Sequence, residues 1–464
     1  MSTTRRKYAD QMEQAAADVA TLVVSVAVVA VEVLVNLASG SRRTRTHGGS
    51  AKGRSFRQRT RRSVDEIYHQ LGPLYFRRAY RMKFETFQRL ADDLRPYILK
   101  AAGHKEGVPS RHVPNGRISP DVRLACAIRW FAGGSPYDMM TTYGISHTDT
   151  INSYWYVIDA INKHPQFNIT YPADHDAQHA IAQGFSKVSK AGFKCCAGAI
   201  DGILIWIHKP SKKDCTTIGC DEGKFFCGRK KKFGLNCQAV CDVRGRILDI
   251  SILYPGSTSD CLAFESMTLF RNLEEGMLAP GLCLFGDNAY LNTPYMATPY
   301  SAASGTKDAY NFYHSQLRIR IECTFGMLTK RWAILRSAIP VNVTVPKTVA
   351  LVLALAKLHN FIIDAEDDRS TVDLTYLPND EWNIELNGGV PLVTATAEGD
   401  VIPQQLMNGG EHYDDIGGVP GRYNRQRRYN YASVIDSVPL PRDQLHSYVR
   451  AQNITRPTPL PPQR

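Results

Sequence analysis

Cysteine is too sparse for a disulfide scaffold. Eleven thiols in 464 residues, an odd number, exclude a chain stapled by paired bridges. Six of them, Cys126, Cys195, Cys237, Cys241, Cys283 and Cys323, sit in apolar surroundings and read as reduced core thiols of an intracellular protein. Long apolar runs are few as well. Val19 to Val31 gives thirteen uncharged residues before Glu32, and nine more uncharged residues reach Ser41. A spanning helix wants about 20 predominantly apolar residues, so this run reads as an accessory or packing helix, with no stable membrane association. Asp10 and Glu13 precede it, unlike the basic leader of a secretory signal. A membrane-tethered protein built around the run is the alternative. No internal repeat is evident, and 43% hydrophobic with 22% charged residues excludes a wholly disordered or fibrous chain.

Positive charge is in excess: 56 Lys+Arg against 44 Asp+Glu leave +12, which favours a polyanionic partner. The excess is uneven. Nine basic and no acidic residues fall between Ser41 and Arg62, whereas thirteen acidic residues and only Arg369 occupy Asp364 to Gly418. These blocks divide the chain: a tail over 1–62 with the apolar helix and the basic tract, a helical region over 63–190, and a mixed α/β unit over 191–364. An acidic disordered linker over 365–420 and a basic, proline-rich tail over 421–464 follow, the latter with a short helix near Asp443 to Ala451. Composition leaves the basic tract open as a nuclear import signal or a nonspecific DNA arm.

Within 63–190, apolar residues at helical spacing predict two helices between Val64 and Lys100, separated near Arg77–Lys83. Three punctuated segments follow. Ser119-Pro120 and Ser135-Pro136 each pair a cap with a first-turn proline; Gly133-Gly134 and Gly144 stop the runs, and Ser146 caps a third helix. Helices joined by short glycine turns match a helix-turn-helix, whose later helix lies in the DNA major groove. His147, Thr148, Thr150, Asn152 and Ser153 would then face outward to DNA. A plain three-helix bundle fits the same residues.

From Ala197 the pattern becomes strand (Ala197 to Ile207), hairpin (Gly234 to Val243 and Arg246 to Tyr254), helix from about Asp260, short strand (Leu282 to Phe285), then helices over about Gln316 to Arg336 and Val349 to Ile362. That order predicts a mixed sheet with helices against it. Three carboxylates sit awkwardly in it. Asp201 interrupts an apolar strand, Asp287 ends another, and Glu322 lies beside an apolar helical stripe with Arg318 one turn earlier. Singly, each reads as a cap or an ion-pair partner. Together they can converge, and carboxylates with few competing His or Cys suit Mg²⁺ or Mn²⁺. Two such ions would clamp the attacking and leaving oxygens of a phosphodiester.

Other clusters rank lower. The basic loop Lys209 to Lys232, with Lys230, Lys231 and Lys232 beside Phe225, Phe226 and Phe233, reads as a nucleic-acid contact or as a solvated loop. Arg318, Lys330 and Arg331 could contact phosphate or form a solvated helix face. Cys215, Cys220 and Cys227 are spaced as no strong zinc site. His359 reads as a core hydrogen-bonding group.

Ala199-Ile200-Asp201-Gly202, Gly256-Ser257-Thr258-Ser259-Asp260, Gly286-Asp287-Asn288-Ala289-Tyr290, Arg320-Ile321-Glu322-Cys323-Thr324-Phe325-Gly326 and Leu358-His359-Asn360 together resemble, in order, the motifs of PIF/Harbinger transposases and the nucleases derived from them. The likeness spans about Ala197 to Ile363. It implies an RNase H-like fold preceded by a helix-turn-helix, and divalent-metal cleavage of DNA with Asp201, Asp287 and Glu322 as the metal-binding, catalytic triad. It also implies nuclear action and a separately encoded Myb-like DNA-binding partner. Ile203 stands where many members have threonine, and Ser259 where a histidine is frequent. A non-cleaving DNA-binding or scaffold protein that keeps the fold is the rival, and self-association into a homo-oligomer stays open.

Overall fold

The computed structural model describes residues 59–103, 116–366 and 440–457. The N-terminal apolar helix, most of the basic tract, the acidic linker and much of the C-terminal tail lie outside the described residues. Serine caps set the helical region as expected. Ser63 forms a capping box with Glu66 at the start of α1 (Val64–Tyr80), which kinks at Gly72-Pro73, and α2 is Phe84–Ala101. The Ser119, Ser135 and Ser146 hydroxyls accept backbone N–H groups at the starts of α3 (Pro120–Phe131), α4 (Pro136–Tyr143) and α5 (His147–Lys163). A further helix, α6 (His175–Val188), precedes the sheet; the sequence reading had not marked it.

The sheet begins with β1 (Cys196–Trp206). After it come α7 (Lys212–Ile218) inside the basic loop, β2 (Phe226–Cys227), β3 (Lys232–Cys241), β4 (Ile247–Pro255), α8 (Asp260–Glu265), α9 (Thr268–Glu274), β5 (Cys283–Phe285) and β6 (Met296–Ala297). Three helices close the chain: α10 (Thr306–Arg331), α11 (Val345–Glu366) and α12 (Pro441–Ala451). β3 pairs antiparallel with β1 and with β4, while β5 is parallel to β1 and β6 parallel to β5. The β3–β4 turn is tied by Asp242 Oδ1, which accepts the Arg244 and Arg246 N–H groups, both at 2.8 Å. This is the mixed sheet with flanking helices that the sequence predicts. Helix α10 starts ten residues before the expected Gln316, because Ala309, Tyr310, Tyr313 and His314 are buried on the same core as Leu317.

Strand parity separates the two faces of the sheet. Ala199, Ala239 and Phe285 pack toward Leu317, Ile321 and Phe325 of α10. Ile200, Val240 and Leu284 pack toward Phe264, Leu269 and Tyr290. A third cluster runs without a break from α1–α5 into Trp332, Leu335, Leu351, Leu355 and Leu358. The expected boundary near 190 therefore marks a change of secondary structure and not a gap in packing. Helix α11 is long and apolar enough to cross a membrane, yet much of it is buried in that core.

Several expectations need correcting. Thr150 and Ser153 face inward, each with 0% exposure, because Thr150, Ser153, Tyr154, Val157 and Ile161 form the core stripe of α5 at steps of three and four. Thr150 Oγ1 donates to the Ser146 carbonyl at 2.9 Å, and Ser153 Oγ accepts from Arg123 Nη1 at 3.1 Å. Among the cysteines read as core, Cys195 is half-buried and Cys323 is exposed, since Cys323 lies off the Leu317–Ile321–Phe325 stripe; all eleven are free.

The short C-terminal helix forms as expected and returns to the sheet domain. Leu445 and Val449 are buried in its core, Tyr300 Oη donates to Asp443 Oδ1 at 2.6 Å, and Tyr313 Oη donates to the Thr455 carbonyl at 2.9 Å. Leu445→Ala is expected to lower unfolding free energy by about 2–4 kcal/mol, against about 0.5 kcal/mol or less for exposed Ser447→Ala. Urea unfolding of the full chain measures both, and equal effects would mean that α12 does not dock.

Candidate active site

Register builds the site. β1 and β5 run in parallel with Ala199 opposite Phe285, so Asp201 and Asp287, each two residues further on, reach the same level of the sheet. Two residues is one period of the pleat, so Asp201 takes the face of Ala199, toward α10, while Asp287 lies two residues past the end of β5 and is close enough to feel the Arg318 charge. Helix α10 supplies Glu322 and, one turn earlier, Arg318. Arg318 Nη2 is 2.6 Å from Glu322 Oε1, and its Nη1 is 3.6 Å from Asp201 Oδ2. The Asp201 and Arg318 side chains are each 19% exposed, so this pair sits largely out of water.

Two like charges on adjacent strands in a half-dry site oppose ionisation. Burial, then the Asp287 charge, push the Asp201 carboxyl up to about 7, against the opposing pull of Arg318. Burial also raises Asp287, whose Oδ1 accepts the Ala289 N–H at 2.8 Å. Arg229, at the tip of the basic loop, acts electrostatically on Asp287, which places that loop at the edge of the site.

A polar network backs the pair from the other face of the sheet. Tyr290 Oη donates to Gln238 Oε1 at 2.5 Å, Gln238 Nε2 donates to Asp260 Oδ1 at 2.8 Å, and Asn236 Nδ2 donates to the same oxygen at 3.0 Å. Gly202 is required between them: a Cβ there would collide with Asp260 Oδ1 and Gln238 Nε2. Ser259 Oγ accepts the Leu262 N–H at 3.4 Å and so caps α8, which carries Asp260. Sequence reading missed Asn236 and Gln238, and gave Asp260 and Tyr290, within the motif runs, and Arg229, within the basic loop, no role at the carboxylates. The available signal was two polar amides spaced i, i+2 in an otherwise apolar strand.

The remaining predicted residues are scattered. Lys330 and Arg331 lie eight and nine residues beyond Glu322, roughly 12 Å along the helix. Arg331 Nη1 binds His359 Nδ1 at 2.9 Å and the His359 carbonyl at 3.2 Å, so it braces α11 and is not held at the carboxylates. His359 Nε2 pairs with the Gly245 carbonyl at 2.9 Å, the core role expected of it. Lys230 and Lys231 are exposed on the loop, and Lys232 Nζ stands 2.9 Å from the Trp206 ring centroid. His147, Thr148 and Asn152 are exposed near the start of α5, about the far helical region.

Among the described residues, no three His, Cys, Asp or Glu side chains are placed to hold an ion as they stand; this includes Cys215, Cys220 and Cys227 as well as the carboxylates. The donor chemistry of Asp201, Asp287 and Glu322 fits a hard divalent cation all the same: oxygen only, anionic, and with Asp201 raised by burial and then by the neighbouring Asp287 charge. Arg318 supplies the positive charge in this arrangement.

Residues 200–360 match the family model described as a DDE superfamily endonuclease. That span encloses Asp201, Asp260, Asp287, Glu322 and the Leu358-His359-Asn360 motif. The chain is 26% identical over 318 residues to human HARBI1, which bears the name of a candidate nuclease; the match covers 67% of this chain and 85% of that one. HARBI1 of Bos taurus is 26% identical over 271 residues, covering 58% and 74% of the two chains. A protein named ALP1-like from Arabidopsis thaliana is 24% identical over 267 residues, covering 54% and 62%. No solved structure matches significantly. The family likeness read from the ordered motifs is thus borne out.

A carboxyl whose folded pKa lies above its unfolded value favours the fold at low pH and gives that contribution up as pH rises, here between about 4 and about 7. His314 and His359, buried and neutral with values lowered to about 3, act oppositely and weaken the fold as pH falls below about 6.5. Comparing variant with parent cancels the histidines. Asp201→Asn should stabilise the chelator-treated protein by roughly 1–2 kcal/mol at pH 8 and by nothing near pH 4. Urea unfolding at both pH values measures it; a loss at pH 8 would contradict a strained carboxylate pair.

Proposed function

We propose, from the chain's membership of the PIF/Harbinger branch of the DDE superfamily endonucleases, that it cleaves DNA phosphodiester bonds at the Asp201–Asp287–Glu322 cluster. The observation that carries this reading is the β1–β5 pairing, which brings two half-buried aspartates close together beside the α10 turn that carries Arg318 and Glu322. Bound by these three carboxylates, Mg²⁺ or Mn²⁺ would supply activation of water and neutralisation of charge on the reacting phosphate. The chain's own residues do the rest. The Tyr290–Gln238–Asp260–Asn236 network fixes the floor beneath Asp201, so its carboxylate needs little reorganisation. Lys230 and Lys231 grip the DNA backbone, and Arg229 sits where the loop meets Asp287. His147, Thr148 and Asn152, exposed at the start of α5, form a second DNA contact. In a mobile-element enzyme the freed 3′-hydroxyl would then attack target DNA. Action in the nucleus, together with a Myb-like DNA-binding partner, completes the reading.

Nicking of supercoiled DNA by the full chain with Mn²⁺ tests cleavage. Asp201→Asn and Glu322→Gln should each lower the rate by on the order of 10³, the loss of several kcal/mol of transition-state stabilisation. Unchanged nicking in both variants rejects the triad. A parent that leaves the plasmid intact, with and without a partner, favours the non-cleaving scaffold.

Binding should weaken steeply with salt. Lys230→Ala and Lys231→Ala should each reduce the slope of log K against log salt by about 0.9. Fluorescence anisotropy across a salt series reads this, and a flat response in the parent removes the loop from the interface.

A further inference from the structure

The side chain nearest two of the three triad carboxylates is a guanidinium. Arg318 reaches Glu322 at 2.6 Å along its own helix and Asp201 at 3.6 Å across to the sheet, with 19% of its side chain exposed. An ordinary i, i+4 pair on a helix surface spans one helix and faces water. This one bridges helix to strand and points into the site, and Asp287 also feels its charge. The carboxylates, meanwhile, form no ready ion cage.

We propose that Arg318 is a built-in counter-cation: it closes the carboxylate cluster in the ion-free chain and must leave Asp201 and Glu322 before they can ligate a divalent cation. The proposal rests on the nuclease reading and adds a control on it. A guanidinium and a divalent ion cannot share the same few ångströms between carboxylates in a site screened from water, because their repulsion there is strong. The two therefore compete, and Arg318 sets how much ion is needed to open the site. Arg318 is a positioning residue: it acts on the ligands, holding Asp201 and Glu322 in register while no ion is present. Once its contacts with Asp201 and Glu322 break, its long side chain can rotate about its root on α10 without moving the helix. Phosphate contact, the role suggested by sequence alone, is not available to it while it holds both carboxylates.

Isothermal titration of the full chain with Mn²⁺ alone, without DNA, tests this. Arg318→Ala and Arg318→Gln should each bind Mn²⁺ at least about fivefold and up to about a hundredfold tighter than the parent, the range of a typical coupling between competing sites. Arg318→Lys, which keeps the charge, should stay near the parent. The neutral variants should also melt lower without ion and gain more from Mn²⁺ in a thermal melt, as linkage demands. A residue that merely braced the site would give the reverse, weaker Mn²⁺ binding on removal. Equal or weaker affinity in a folded Arg318→Gln overturns the proposal, and if the parent still nicks DNA with Mn²⁺ the nuclease reading survives. If neither the parent nor the variants bind Mn²⁺, the nuclease reading fails and takes the proposal with it.

Discussion

The pairing of β1 with β5 is the constraint from which the site follows. A parallel register that sets Ala199 against Phe285 brings Asp201, two residues on in β1, and Asp287, two residues past the end of β5, near one another. Adjacent carboxylates, mostly shielded from water, repel each other, and Asp201 in particular is held far above its ordinary range. Burial is the larger cause and the Asp287 charge the second, and the groups nearby answer both. Arg318 brings positive charge from α10, while Asn236 and Gln238 donate hydrogen bonds to Asp260, a third negative group close to the pair. Gly202 keeps the strand thin enough for Asp260 to approach. A sheet assembled for stability alone would place valine at these positions.

Much of the scaffold was legible because it is written in local chemistry. Ser119, Ser135 and Ser146 cap their helices as their sequence context requires, and Arg244-Gly245 turns the hairpin. The three carboxylates stood out because charge is conspicuous in an apolar run. Harder to read were features that depend on which face a residue takes. Thr150 and Ser153 are small polar residues, so composition suggested solvent; the core stripe of α5 buries them and satisfies their hydroxyls within the helix and on Arg123. Asn236 and Gln238 lie within a strand that reads as apolar, and only the strand pairing shows that they back the site. Cys323 neighbours Ile321 and Phe325 in sequence, yet one step of a helix turns it outward. Arg229 belongs to the site through the path of a loop, which no periodicity encodes.

The helical region and the sheet domain are also less separable than their sequence grammar suggests. Asn162 Nδ2 donates to the Ala350 carbonyl at 2.8 Å, Lys357 Nζ donates to the Asn162 carbonyl at 2.9 Å, and Lys347 Nζ lies 4.5 Å from the Trp155 ring centroid. These contacts fasten α5 along α11. Fastened in this way, α5 keeps His147, Thr148 and Asn152 exposed in its first turns.

That attachment has a mechanical consequence. Helix α11 is joined in turn to α10 by Trp332 Nε1, which donates to the Leu355 carbonyl at 3.0 Å, and by Arg331 on His359. A continuous chain of buried and half-buried contacts thus runs from α5 through α11 to the helix that carries Arg318 and Glu322. At its far end α10 is held by the segment that follows α12, through Arg456 on Asp308 at 3.2 Å and the Tyr313–Thr455 bond. With both ends of α10 pinned, Glu322 has little freedom to approach the aspartates by moving its backbone. Any tightening of the cluster must come from side-chain rotation, and the long side chain already spanning the gap is the one whose rotation changes the charge of the site.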